Sequence, residues 1–229
     1  REDIFLTTKH WVSFRGYEKT IATFEESLKN LGTDYVDLYL IHWPAVSKVT
    51  PEWKELNAST WRGFEKLYKD GKIRAIGVAN FYADRLVDLA YLAKIRPMLD
   101  QVEVHPLHQR EDILQWGKKL NVAVEAWSPF GRGRGGMLEN PVLMQIGKKY
   151  GKTAAQVILR WCLQREILSV AKSARTERIR QNIDILDFAL TEAEMATIAA
   201  METATSVFYS HEDPQTTENF VLGILKSRA

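Results

Sequence analysis

Strand-like and helix-like segments alternate along this chain of 229 residues, and the alternation restricts its fold more than any other feature. Six runs are rich in Val, Ile and Leu and lack the strict apolar–polar alternation of a strand with one solvent-exposed face. They predict strands over 4–9, 35–42, 73–80, 99–105, 122–128 and 167–173. Runs of this kind are typical of parallel strands that helices cover on both faces, so the sequence predicts an α/β protein.

Amphipathic segments lie between the strand candidates and beyond the last one. They predict helices over 16–31, 60–70, 83–93, 110–120, 141–150, 154–164, 176–186 and 191–201. Gly151 follows one of them where a left-handed residue ends a helix. Thr153 and Thr191 each precede a helix, with Gln156 or Glu194 three residues later, which is the capping-box pattern. Strand–helix units joined by right-handed crossovers fit an open doubly wound sheet or most of a (β/α)8 barrel.

Length and composition exclude several classes of protein. A chain of this size with 45% hydrophobic residues predicts one domain. With 31 basic and 29 acidic residues, the net charge of +2 gives no case for nucleic acid or a membrane surface as a partner. No apolar stretch reaches the roughly 18 residues that a membrane-spanning helix needs. The single cysteine, Cys162, excludes an intrachain disulfide, fits a reducing cytoplasm and is expected to be buried.

The first two predicted strands end in ionisable and aromatic residues. Lys9 and Trp11 follow the first strand, and His42 and Trp43 follow the second. In parallel α/β folds chemistry takes place at this edge of the sheet. Lys9 is either a solvated strand end or a cation that lowers the pKa of a nearby tyrosine. His42 is either a core residue or a neutral imidazole that donates a hydrogen bond to a carbonyl oxygen.

Three later strands end in residues suited to a flat, amide-bearing ring. Asn80 and Gln101 either cap their strands or bind the carboxamide of a nicotinamide. Trp127 either belongs to the core or stacks on that ring. The run 131–136, rich in glycine, is expected to be a mobile surface loop, a phosphate cradle or both. His105 and His108 have no clustered acid or cysteine to complete a set, so no metal site is predicted.

The last predicted strand leads into a basic helix start. Lys172, Ser173 and Arg178 surround the amino end of helix 176–186. The helix macrodipole disfavours an arginine in a first turn unless an anion lies there. The pattern therefore favours a monophosphate site over a solvated basic helix start.

Taken together, these strand ends resemble those of the aldo-keto reductase family, NAD(P)H-dependent carbonyl reductases built on a (β/α)8 barrel. The similarity runs along the whole chain, in the segments 1–11, 31–44, 71–81, 101–106, 127–131 and 172–182. The tail resembles bacterial members at Phe208 and 211–214, and the most similar members are prokaryotic reductases of diketo-gluconate and small aldehydes. The resemblance implies a single barrel domain over 1–229 with six of the eight strand–helix units, acting as a monomer in the cytoplasm.

The resemblance also implies a role for each strand-end residue. Lys9 and His42 become catalytic, and Trp11 and Trp43 become substrate walls beside His42. The cofactor would be NADPH, and its contacts fall on Asn80, Gln101, Trp127, Ser128, Phe130, Gly131, Lys172, Ser173, Arg178, Gln181 and Asn182. The small-molecule substrate would be an aldehyde or ketone, reduced to an alcohol by hydride transfer.

The chain departs from the family pattern in several places. Trp127 replaces the stacking tyrosine, Ala79 replaces a serine, and Ala171 replaces a proline. The catalytic aspartate and tyrosine of the family would lie before Arg1. We therefore expect about 40–60 further residues there in the native polypeptide, enough for two strand–helix units.

Two other functions stay open on the sequence alone. One is a non-catalytic NADPH-binding or regulatory protein that keeps the cofactor site without turnover. The other is an unrelated barrel enzyme, such as a phosphate-ester lyase, which would not need Asn80, Gln101 and Trp127 together.

Overall fold

The computed structural model describes residues 1–45 and 51–208, and within them it contains six strands and eight α-helices. The strands are β1 (Thr7–His10), β2 (Val36–Ile41), β3 (Ile73–Ala79), β4 (Leu99–Glu103), β5 (Ala123–Trp127) and β6 (Ile167–Val170). The helices are α1 (Tyr17–Leu31), α2 (Trp53–Lys69), α3 (Ala83–Leu92), α4 (Glu111–Leu120), α5 (Pro141–Tyr150), α6 (Ala154–Gln164), α7 (Thr176–Ile183) and α8 (Glu192–Ala199). The tail segment 211–214, where the sequence resembles bacterial reductases, lies outside the described residues.

The described chain forms two compact units, residues 1–101 with 112–123, and residues 102–111 with 124–208. In the first unit, β1, β2, β3 and the start of β4 pair side by side in chain order, and all are parallel. Helices cover this sheet, and its core packs aromatic rings such as Phe24, Tyr39, Trp61 and Phe64. The predicted α/β class with parallel strands is thus confirmed.

Gly77 sets the spacing between two of these strands. A Cβ atom at this position would lie 2.5 Å from the carbonyl oxygen of Leu99 and 2.8 Å from Cδ2 of Leu40. Both distances are far below a van der Waals contact, so the position admits only hydrogen as its side chain. The close approach of β3 and β4 depends on this glycine.

In the second unit β5 and β6 pair in parallel, with Trp127 opposite Val170. Thr153 and Thr191 form the predicted capping boxes with Gln156 and Glu194, and Gly151 ends α5 in a left-handed conformation. Cys162 is buried, as expected, and burial raises the pKa of its thiol to about 11. The thiol is therefore protonated and inert at neutral pH.

Several predicted boundaries are wrong. β1 starts at Thr7 because Ile4 and Phe5 precede the first paired residue, and their side chains are 60% and 70% exposed. β4 ends at Glu103 because His105 turns back and exchanges backbone hydrogen bonds with His108.

Three further boundaries differ from prediction, namely the ends of β6 and α7 and the start of α2. β6 stops at Val170, opposite the last residue of β5, and α7 stops at Ile183. Helix α2 begins at Trp53 rather than near residue 60. Its start lacks a recognisable signal because Glu52, the residue before it, makes no capping hydrogen bond through its side chain. Across the described residues, the helices are too short or too polar to span a membrane.

Candidate active site

Lys9 and His42 point to the same face of two neighbouring strands. Lys9 lies opposite Leu40 in the register of β1 and β2, and His42 follows Leu40 by two residues. The backbone N–H of His42 donates to the carbonyl of His10 at 3.1 Å, which extends the ladder past the end of β2. Because side chains alternate along a strand, Leu40 and His42 share a face with Lys9. The structure thus brings together the two residues that the sequence singled out first.

The surroundings of His42 keep its imidazole neutral. Burial and, secondly, the positive charge of Lys9 lower the pKa of His42 to about 4. The ring of Trp11 meets the imidazole edge to face at 5.0 Å between centroids, and the ring of Trp43 lies nearly parallel to it at 6.3 Å. At neutral pH one ring nitrogen therefore carries a hydrogen to donate, and two indole rings lie beside it.

Two residues that sequence reasoning missed hold the backbone after His42. Arg15 donates through one guanidinium nitrogen to the carbonyls of Trp43 and Pro44, at 3.0 and 2.8 Å. Burial lowers the pKa of Arg15 to about 10, so the group stays charged at neutral pH. Asn57 accepts from the N–H of Ala45 at 2.8 Å and donates to its carbonyl at 3.2 Å. A signal for Asn57 existed, because it lies four residues before the buried Trp61 on one helix face.

Asn80 and Gln101 lie at the ends of β3 and β4 and are both buried. The backbone N–H of Asn80 donates to the carbonyl of Gln101 at 2.9 Å, and its side-chain Nδ2 donates to the carbonyl of His42, also at 2.9 Å. Asn80 has φ of 61°, a left-handed conformation that asparagine tolerates. Its amide therefore ties two strand ends together and fixes the backbone that carries His42.

In the second unit, Trp127 ends β5, and a tight turn follows it. Ser128 has φ of 49°, and its carbonyl accepts from the N–H of Gly131 at 2.8 Å. Phe130 lies between them, half-buried. The glycine-rich run then continues as an exposed irregular segment within Gly131–Glu139, with several left-handed residues in succession. Such a backbone leaves amide groups accessible to an anion.

Lys172, Ser173 and Arg178 lie around the start of α7. Ser173 accepts through Oγ from the N–H of Arg175 at 3.1 Å, just before the helix. No side chain caps the first turn, in which Arg178 stands. Lys172 and Arg178 are exposed and make no ion pair with the described residues. Gln181 and Asn182 lie farther along the helix, near its carboxyl end, and are half-buried.

The chemistry of these residues fits parts of a nicotinamide dinucleotide in each unit taken by itself. In the first unit, two buried amides suit its carboxamide. In the second unit, an indole at a strand end suits its ring, and the turn after Trp127 and two exposed cations, which make no ion pair with the described residues, suit its phosphates. Within residues 1–45 and 51–208, three or more His, Cys, Asp or Glu side chains nowhere gather into a possible metal site.

Comparison with known proteins shows the family of the chain. The model of the aldo/keto reductase family matches residues 1–203. The 9,11-endoperoxide prostaglandin H2 reductase of Trypanosoma cruzi is 47% identical over 199 residues, which cover 86% of this chain and 68% of that protein. The glyoxal reductase of Bacillus subtilis is 47% identical over 201 residues, covering 88% of this chain and 69% of that protein.

A solved structure shows the same fold. The aldo-keto reductase AKR2E4 of Bombyx mori, in complex with NADP, superposes with a TM-score of 0.84 at 36% identity, covering 91% of this chain and 71% of that chain. This similarity confirms the predicted class, the (β/α)8 barrel, and the described residues form six strands with their helices. The chain belongs to the aldo-keto reductase family of oxidoreductases.

Proposed function

We propose that the protein reduces aldehydes or ketones to alcohols with NADPH. The observation that carries the proposal is the pair Lys9 and His42, set on one face of neighbouring strand ends, with the rings of Trp11 and Trp43 against His42. A small carbonyl compound fits this arrangement because the two indole rings offer apolar surface while one polar hydrogen remains to bind its oxygen. The glyoxal reductase relative supports a small aldehyde as the substrate class.

Each residue has a separate task in this proposal. The reduced cofactor, when bound, supplies the hydride for the carbonyl carbon. His42 donates a hydrogen bond from its neutral imidazole to the carbonyl oxygen and orients the substrate. Lys9 takes the role that the resemblance implies, a cation that favours the ionised form of the tyrosine that is the family's proton donor. Trp11 and Trp43 form the walls against which the substrate packs.

The proposed cofactor contacts follow the same strand ends. Asn80 and Gln101 bind the carboxamide, and Trp127 stacks on the nicotinamide ring. The turn at Ser128, Phe130 and Gly131 contacts the pyrophosphate. Lys172, Ser173 and Arg178 bind the 2′-phosphate, with Gln181 and Asn182 near the adenine, and this anion site is the reason to prefer NADPH over NADH.

Aldehyde-dependent consumption of NADPH by the full-length protein tests the proposal. We expect turnover with a small aldehyde, and we expect His42→Ala to lose most of it while cofactor quenching of tryptophan fluorescence persists. Binding of NADPH without turnover on any carbonyl compound would instead favour the non-catalytic, regulatory alternative. The proposal further includes one barrel domain acting as a monomer in the cytoplasm, which sedimentation and cell fractionation test.

A further inference from the structure

Glu103 is a buried carboxylate that the proposed mechanism does not use. It lies at the end of β4, in the second unit, with 3% of its surface exposed. Its Oε1 lies 3.0 Å from Nε2 of His105. Burial alone would raise the pKa of Glu103, but the hydrogen bonds from His105 and Ser206 outweigh burial and hold it below its usual value. The group is therefore ionised, and a buried charge of this kind needs the partners it has.

The other partners of Glu103 come from the segment after α8. Ser206 donates through Oγ to Oε2 at 2.6 Å, and the N–H of Val207 donates to Oε1 at 3.2 Å. The N–H of Phe208 in turn donates to Oγ of Ser206 at 3.0 Å. Three consecutive residues of an irregular segment are thus fixed by one carboxylate, two of them directly and the third through a hydroxyl.

Upstream contacts hold the start of the same segment. Thr203 donates through its N–H and its hydroxyl to the carbonyl of Leu107, at 3.1 and 2.7 Å. Glu202 accepts from the N–H of Gln109 at 2.6 Å. The path of the chain from α8 is therefore set before it reaches Glu103. Glu103 then holds residues 206–208, and Arg134 adds a hydrogen bond to the carbonyl of Val207 at 3.4 Å.

The hydrogen bonds to Glu103 hold Phe208 next to Trp127. Its ring lies 5.2 Å from the ring of Trp127 between centroids, tilted by 53°. The guanidinium groups of Arg132 and Arg134 lie 5.5 and 5.2 Å from the centre of the Phe208 ring. Phe208 thus packs on the indole that we assign to the nicotinamide and beside the glycine-rich segment.

We propose that Glu103 is a positioning residue that fixes Phe208 against Trp127 and so sets the fit of the cofactor ring on the indole. The proposal rests on the proposed function, because the indole matters in this way only if it binds the nicotinamide. Glu103 touches neither substrate nor cofactor in this assignment and acts through Ser206, Val207 and Phe208.

The first arm of the test needs no cofactor. In Glu103→Gln, which keeps the size of the side chain and removes its charge, we expect the amide hydrogens of Val207 and Phe208 to exchange about tenfold faster, the factor that a hydrogen bond to a charged group supplies. Ser206→Ala should act in the same direction. Glu192→Gln, an exposed residue of α8 in the same unit, is the matched control and should leave exchange unchanged. Unchanged exchange in both test variants would overturn the anchoring role.

The second arm measures NADPH affinity by tryptophan quenching in a double-mutant cycle. Glu103→Gln and Phe208→Ala should each raise the Kd for NADPH about tenfold, and the double variant should be no weaker than Phe208→Ala alone, because Glu103 acts through Phe208. Independent, additive losses or an unchanged Kd would overturn the link to the cofactor. If the unaltered protein does not bind NADPH while Glu103→Gln still speeds exchange, the proposed function fails and the anchoring stands.

Discussion

The two strand-end regions of this protein differ in how far their side chains are fixed before any ligand arrives. Around Lys9 and His42, in the first unit, a half-buried arginine and a buried asparagine hold the backbone, and two tryptophan rings contact the imidazole. Around Lys172 and Arg178, in the second unit, the cations are exposed and make no ion pair with the described residues. Orienting a carbonyl oxygen requires fixed geometry, whereas an anion can be captured by flexible charges.

The largest expected effect is on turnover, and it tests the Lys9–His42 region. Lys9→Met should lower turnover about a thousandfold in the full-length protein, because the loss of a positioned group in proton transfer typically costs two to four orders of magnitude. The Kd for NADPH should change little. Steady-state kinetics and a fluorescence titration measure the two quantities, and Lys19→Met, an exposed lysine of α1, is the matched control. A variant with near-normal turnover would show that Lys9 is an ordinary strand end.

The next largest effect is on stability, and it tests the burial of His10 in the same unit. Burial lowers the pKa of His10 to about 4, whereas in the unfolded chain it binds a proton near pH 6.5. Acidification from pH 7 to pH 4 therefore favours the unfolded state, and His10 should account for about 3 kcal/mol of lost stability. Urea unfolding at both pH values measures the loss, which should be smaller in His10→Gln. Equal losses in the two proteins would show that His10 is not buried as a neutral ring.

A smaller effect is expected on cofactor affinity, and it tests the exposed cations at the start of α7. Arg178→Ala should raise the Kd for NADPH about tenfold, since a charge-assisted hydrogen bond to a phosphate is worth at least that much. The Kd for NADH should not change, so the preference between the two cofactors narrows. Arg180→Ala, two residues along the same helix, is the control and should keep the preference. Equal affinities of the unaltered protein for both cofactors would exclude a 2′-phosphate site at this helix start.

The smallest effect is the salt dependence of cofactor affinity, which also distinguishes the two strand-end regions. Exposed charges are screened, so raising the ionic strength from about 0.01 to 0.15 M should raise the Kd for NADPH about threefold more than the Kd for NADH. Turnover at saturating NADPH should stay nearly constant, because His42 is neutral at neutral pH and added salt does not screen a hydrogen bond from a neutral ring. Parallel titrations of both cofactors against added salt measure this difference. If added salt lowered the turnover at saturating NADPH, charges that salt can screen would have to act in the catalytic region.

Local signals made much of the fold predictable from the sequence. Thr153, Gln156 and Gly151 mark helix ends through contacts within a few residues, so their roles can be read directly from the pattern. The strand ends at Lys9 and His42 were also predictable, because side-chain alternation and the parallel register determine their common face. Whether the predicted cofactor residues bind NADPH stays a prediction.

Contacts between distant residues were not predictable. Arg15 acts on backbone carbonyls 28 and 29 positions away, and any arginine near any exposed carbonyl would look the same in the sequence. The carboxylate of Glu103 meets partners more than one hundred residues later. Backbone acceptors carry no residue-type signal, so only the folded structure identifies such pairs.

Gly77 has a consequence for engineering this enzyme. It lies three residues before Asn80, where β3 passes close to β4, and an added methyl group would overlap the Leu99 carbonyl. Relieving that overlap would move β3 away from β4, and with it the amide of Asn80 relative to Gln101 and His42. A library that varies the strand ends to change substrate range should therefore keep residue 77 constant. The alignment of the two amides depends on a hydrogen atom where every other amino acid has carbon.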